Sequence, residues 1–119
     1  MFSPKLLDHF EHPRNTGAVA DANAVAEVEN PACGDVLQLT ARVVDGRIEE
    51  LRFRAQGCVA SMGCASALTV LAAGKTLAEA SRVRREDVVA EVGGLPPESL
   101  HASHLTMDAL AALMAKIHP

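Results

Sequence analysis

Two alternating runs joined by Asp45-Gly46 commit the middle of this chain to a β-hairpin. From Val36 to Val44, Leu37, Leu39, Ala41 and Val43 share one face while Gln38, Thr40 and Arg42 share the other, the period of a half-buried strand. Asp-Gly is a strong two-residue hairpin turn, because both of its positions accept positive φ. Beyond the turn, Leu51, Phe53 and Ala55 read inward, against Glu50, Arg52, Arg54 and Gln56 outward. Ile48 is out of phase with Leu51, which predicts a bulge or an irregular start in the second strand.

The flanking segments supply helices and a third strand. Ser3 caps a helix with Pro4 at its first position, and Leu6, Leu7 and Phe10 line one face before His12-Pro13 ends it, giving a helix over about 4–12. Arg14-Asn15-Thr16-Gly17 is turn chemistry, and 24–30 is a strand with poor alternation, closed by Pro31. After Gly57 the chain from Cys58 to Leu71 is rich in small residues in its first half, which suits a helix packed closely on a sheet. Thr76-Leu77-Ala78-Glu79 is a capping box opening a short helix. A further helical turn falls near 85–91, Gly93 to Pro97 is a loop, and Leu110, Leu113, Met114 and Ile117 form the stripe of a last helix. Strands first and helices later predict an α+β fold: a small antiparallel sheet of about three strands with helices packed on one face. The expectation is one domain over 1–119, without repeat or linker.

Composition narrows the function. The net charge of -4, with no Tyr or Trp and three Phe, argues against nucleic acid, which needs clustered cations or aromatic platforms. Arg82, Arg84 and Arg85 are followed at once by Glu86 and Asp87, the pattern of a solvated face. No apolar run approaches the ~18 residues of a membrane span, and the start has no signal-peptide pattern, so a cytoplasmic protein without a membrane partner is expected. Three cysteines cannot all pair with one another, which leaves thiol chemistry or metal ligation as the question for a reduced compartment. There is no Ser-His-Asp arrangement, glycine-rich phosphate loop or supported carboxylate pair of a conventional enzyme.

The candidate residues for that chemistry lie in three places. In Asn30-Pro31-Ala32-Cys33-Gly34-Asp35, Cys33 and Asp35 are two apart and point to one side in extended geometry, so that a thiolate and a carboxylate approach one ion. Cys58 follows Gly57 at a strand-to-helix junction, where free helix N–H groups favour a thiolate. His101 stands near the start of the last helix. Each also has an ordinary reading: a buried Cys beside a turn Asp, a small buried hydrophobe, a surface histidine.

Taken together, Asn30-Pro31-Ala32-Cys33-Gly34-Asp35, Gly57-Cys58-Val59-Ala60-Ser61 and Leu95-Pro96-Pro97 to His101 resemble the IscU/NifU N-terminal family of iron-sulfur cluster assembly scaffold proteins. Asp8-His9-Phe10-Glu11-His12-Pro13-Arg14-Asn15-Thr16-Gly17 is similar to that family's opening segment, and the similarity runs over nearly the whole chain. The resemblance implies a scaffold that accepts sulfur from a cysteine desulfurase, combines it with iron into a cluster, 2Fe-2S in type, and hands it to apo client proteins. It implies metal ligation by Cys33, Asp35, Cys58 and His101, and sulfur acceptance by Cys58 and Cys33. Thiolates hold iron or zinc, imidazole suits both, and the harder carboxylate is the exchangeable member. Zinc is a plausible occupant of purified protein, and the state expected is a monomer or homodimer.

The sequence departs from the family in places that bear on this. The family normally carries Cys immediately after the His, where this chain has Ala102. Cys64 lies six residues beyond Cys58; on one helix that is a rise of ~9 Å and a turn of roughly 240°, too far for one ion, so Cys64 reads as packing. His104 reads as a surface residue. Leu95-Pro96-Pro97 matches the family's Hsp70-type chaperone docking motif, but Glu98-Ser99 replaces the usual Val-Lys, which makes that chaperone a doubtful partner. Two other functions stay open: a zinc-binding sulfur-transfer partner of a cysteine desulfurase, because four ligands of these types suit tetrahedral zinc, or, because of the missing thiol, a regulatory relative that assembles nothing.

Overall fold

A computed structural model describes residues 2–31 and 34–117. The chain runs α1 (Pro4–Glu11), β1 (Ala24–Glu29), β2 (Val36–Val44), β3 (Arg47–Gln56), α2 (Val59–Ala72), α3 (Leu77–Ala80), α4 (Arg85–Glu91), a 3-10 turn (Pro97–Ser99) and α5 (His101–Ala115). The three strands form an antiparallel sheet in the order β1-β2-β3, with helices on its apolar face, as the sequence predicts. Among the described residues no helix is long and apolar enough to cross a membrane.

The hairpin has the predicted turn and the predicted irregularity. Asp45 and Gly46 take φ of 52° and 73°, the two positive values of a type I′ turn. Next to it Val43 pairs with Ile48, but Arg42 pairs with Glu50, so Glu49 is the extra residue of a bulge. Side chains alternate faces along a strand, and the extra residue lets Ile48 and Leu51 both face the core. It also shifts the register by one from there to the far end, where Val36 pairs with Gln56. Asp35 thereby stands opposite Gly57 instead of Gln56. On the other side of β2, Val36 pairs with Glu29 of β1.

The helices pack close because α2 is small-sided. A Cβ on Gly63 would come within 2.3 Å of Leu6 Cδ1, so only glycine lets α1 lie this near to α2. The opening segment fastens to α2 and α4 by polar contacts. His9 Nδ1 is 2.8 Å from Ser66 Oγ and its Nε2 is 3.2 Å from Glu91 Oε2. Arg14 N–H donates to the same Ser66 Oγ at 2.9 Å, and Asn15 Nδ2 donates to Thr69 Oγ1 at 3.1 Å. This Ser-His-Glu chain has no counterpart in a linear motif, and with Ser66 fully buried it ties three helices together.

Two details differ from the sequence reading. Thr40, outward by alternation, is buried, because the segment leading to β1 crosses that face and Val19 N–H donates to Thr40 Oγ1 at 2.9 Å. Ile117 of the apolar stripe lies beyond the end of α5, yet still packs against the core.

Candidate metal centre

Three elements converge at the end of the sheet away from the Asp45-Gly46 turn. Asp35 immediately precedes β2, Cys58 follows the last residues of β3 and caps α2, and His101 is the first residue of α5. One donor atom from each lies within 4.8 Å of the other two. Asp35 Oδ2 is 3.6 Å from Cys58 Sγ and 3.8 Å from His101 Nε2. Ligands bound ~2.0–2.3 Å from a tetrahedral ion stand roughly 3.3–3.8 Å apart, so the carboxylate is already near the edge lengths that a shared ion requires.

Each donor is oriented by local structure. Cys58 is accessible to solvent and its sulfur accepts the Ser61 N–H at 3.4 Å, at the helix N-cap position the sequence indicates. His101 Nδ1 is 3.2 Å from the carbonyl of Glu98. A carbonyl only accepts, so Nδ1 carries the proton, the usual support of a histidine ligand, and Nε2 is the nitrogen turned toward Asp35. Asp35 is buried and packs against bare backbone, since a Cβ on Gly57 would come within 2.4 Å of its Oδ1.

Of the four residues predicted to ligate, the structure brings Asp35, Cys58 and His101 together, while Cys33 lies outside the described residues. Ala102 is fully buried in the core and offers no donor in place of the family's usual thiol. His104 is exposed on the next turn of α5, in a cleft shared with His101, Asn30 and Asp108. Leu95 and Pro96 are half-buried, and Pro97 and Glu98 are exposed.

Sequence reasoning missed Ser61. Its hydroxyl donates to Asp35 Oδ2 at 2.5 Å and lies 3.3 Å from Cys58 Sγ. Its position three residues after an N-cap is the available signal, since that residue's N–H is the one a cap accepts.

Cys64 is a core residue. Its sulfur is fully buried, and burial, followed by the nearby Cys58, pushes its thiol up to about 12. Iodoacetamide at pH 8 is expected to label Cys58 and spare Cys64 in the folded protein, with both labelled in guanidinium, as read by peptide mass mapping. Equal labelling of both in the folded protein would contradict that burial. The raised value also has a stability consequence. The neutral thiol's contribution is complete below 9.0, its ordinary value, and is lost as pH rises toward about 12.

The model of the NifU-like N terminal domain family matches residues 1–118. The iron-sulfur cluster assembly scaffold protein IscU 1 of Archaeoglobus fulgidus is 44% identical over 110 residues, covering 92% of this chain and 72% of that protein. The scaffold protein IscU of Escherichia coli K12 is 40% identical over 118 residues, covering 96% and 91%. The crystal structure of a nitrogen-fixing NifU-like protein (N-terminal) from Brucella abortus superimposes with a TM-score of 0.76 over 97% of this chain and 92% of that one. At 19% identity that last likeness speaks for the fold alone.

Proposed function

This chain belongs to the NifU-like N-terminal domain family, and on that premise we infer that it is an iron-sulfur cluster assembly scaffold. It accepts sulfur from a cysteine desulfurase, combines it with iron and passes the cluster to apo client proteins. The observation that carries this reading is the set of three donors of different hardness within 4.8 Å of one another, in a chain with scaffold relatives at 40–44% identity over more than nine-tenths of its length.

The donors divide the work by their chemistry. Cys58, accessible at a helix N-terminus, is the sulfur acceptor and a firm ligand, joined in both roles by Cys33. His101 presents Nε2, and mixed Cys and His ligation of a 2Fe-2S cluster is chemically sound. Asp35 is the exchangeable ligand, because a carboxylate holds soft iron less firmly than a thiolate. The role asks the protein to hold and release cargo, not to turn over a small substrate. Free thiols of this kind belong in a reducing compartment such as the cytoplasm. With Glu98 exposed beside Pro97, a chaperone docking there meets a negative charge.

Anaerobic reconstitution with a cysteine desulfurase, cysteine and ferrous iron, followed by transfer to an apo-ferredoxin, tests the assignment. Charge-transfer absorption, matched iron and sulfide, and transfer to the acceptor are expected. Stable zinc and a persulfide without those bands would make the protein a sulfur-transfer partner instead, and neither signal would leave the regulatory reading. In the same assay Asp35→Ala is expected to slow transfer about tenfold, because the ligand that an acceptor thiolate displaces first is then missing. An unchanged rate would remove Asp35 from that role.

A further inference from the structure

We propose that Ser61 tunes how readily the centre lets go of its metal, by competing for the Asp35 oxygen that faces it. The inference rests on the metal centre just described and assigns a residue beyond its four ligands.

Asp35 Oδ2 is the common point of the site, since it is the oxygen closest to both Cys58 Sγ and His101 Nε2. The same oxygen receives the Ser61 hydroxyl at 2.5 Å. Both residues are at least nine-tenths buried, at 4% and 5% exposed, so this is a hydrogen bond to a carboxylate shielded from water, the stronger kind. Without metal, Oδ2 keeps the full hydrogen bond. With metal bound, Oδ2 divides its electron density between the ion and the hydroxyl. The bond therefore stabilises the metal-free arrangement more than the loaded one, and it lowers the cost of Asp35 leaving the ion. Ser61 is well placed for this because its own N–H fixes Cys58 Sγ, so one residue spans the soft and the hard ligand. The backbone contact survives any side-chain substitution, which isolates the hydroxyl.

The probe is zinc alone, loaded onto the purified protein, with its release followed by a colorimetric chelator in excess. Ser61→Ala is expected to release zinc about tenfold more slowly than the unaltered protein, the fold-change of one hydrogen bond to a charged group. Ser61→Thr keeps the hydroxyl and should match the unaltered rate. Ser61→Val, of the same shape, should match Ser61→Ala, so the Thr and Val pair decides the matter if alanine at this buried position unfolds the protein. In an Asp35→Ala background, removing the hydroxyl should change nothing further. Faster or unchanged release in Ser61→Ala and Ser61→Val, or an equal change in the Asp35→Ala background, would overturn the role of Ser61 while leaving the centre intact. Zinc release indifferent to both Asp35→Ala and Cys58→Ala would overturn the centre itself, and Ser61 with it.

Discussion

Cys58→Ser is expected to leave the protein folded and unable to hold a cluster, with bound iron and sulfide falling at least tenfold after reconstitution. The two halves of this result come from the cap that Cys58 forms on α2 and from the ligand role proposed for it. As the N-cap of α2 its sulfur accepts the Ser61 N–H, and serine is among the best residues at that position, so helix and fold lose little or gain slightly. As a ligand, a neutral hydroxyl is a poor substitute for a soft thiolate on iron or zinc, and it cannot carry a persulfide. Thermal melting of the metal-free variant should therefore stay within about 2 °C of the unaltered protein, while charge-transfer absorption disappears. A variant that keeps its bands would remove Cys58 from the site. One that melts far lower would show that the thiol matters for packing and not for ligation.

The hairpin shows how much of this site is legible in the residues. Asp45-Gly46 fixes the turn, and the phase break between Ile48 and Leu51 marks the bulge in the bare alternation of side chains. Together they determine which residue stands across from Asp35. The bulge at Glu49 makes it Gly57, and the next residue is Cys58. The short distance between a carboxylate and a thiol that lie 23 positions apart is therefore a consequence of strand register. His101 is less legible. Its placement depends on α5 packing across β1 and β2, a tertiary fact that periodicity does not contain, and only the family resemblance points to it.

Apart from the spacing of Ser61 from its cap, polar contacts between elements leave no readable trace in the chain. Ser61 and Ser66 both look like small residues of a close-packed helix, which they also are. One donates to Asp35, and the other joins His9 to the chain at Arg14. Small polar side chains on a buried face serve packing and hydrogen bonding at once, and only the partner's position separates the two uses. Thr40 reads as outward for a related reason: alternation gives the face of a residue, while burial depends on whatever crosses that face.

Gly57→Ala is expected to damage both stability and metal binding, lowering the folding free energy by about 1–3 kcal/mol and weakening zinc about tenfold. Gly57 has φ of 155°, and a Cβ there would lie 2.4 Å from Asp35 Oδ1, 2.6 Å from its Cγ and 3.1 Å from its Cβ. Turning the carboxylate alone does not clear a methyl group that meets three successive atoms of the side chain. Asp35 cannot retreat along the strand either, because Val36 is paired on both sides, with Gln56 and Glu29. The side chain must therefore swing away, which breaks the Ser61 hydrogen bond and carries Oδ2 off Cys58 and His101. Urea unfolding of the metal-free protein measures the first effect, and competition with a zinc chelator the second. A double-mutant cycle isolates the cause. Once Asp35→Ala has removed the carboxylate, the added methyl at Gly57 meets only a short side chain, and its cost should shrink by about 0.5–2 kcal/mol. If Gly57→Ala costs the same in both backgrounds, the glycine serves only its own backbone angle, and the close seat of Asp35 against it has no energetic weight.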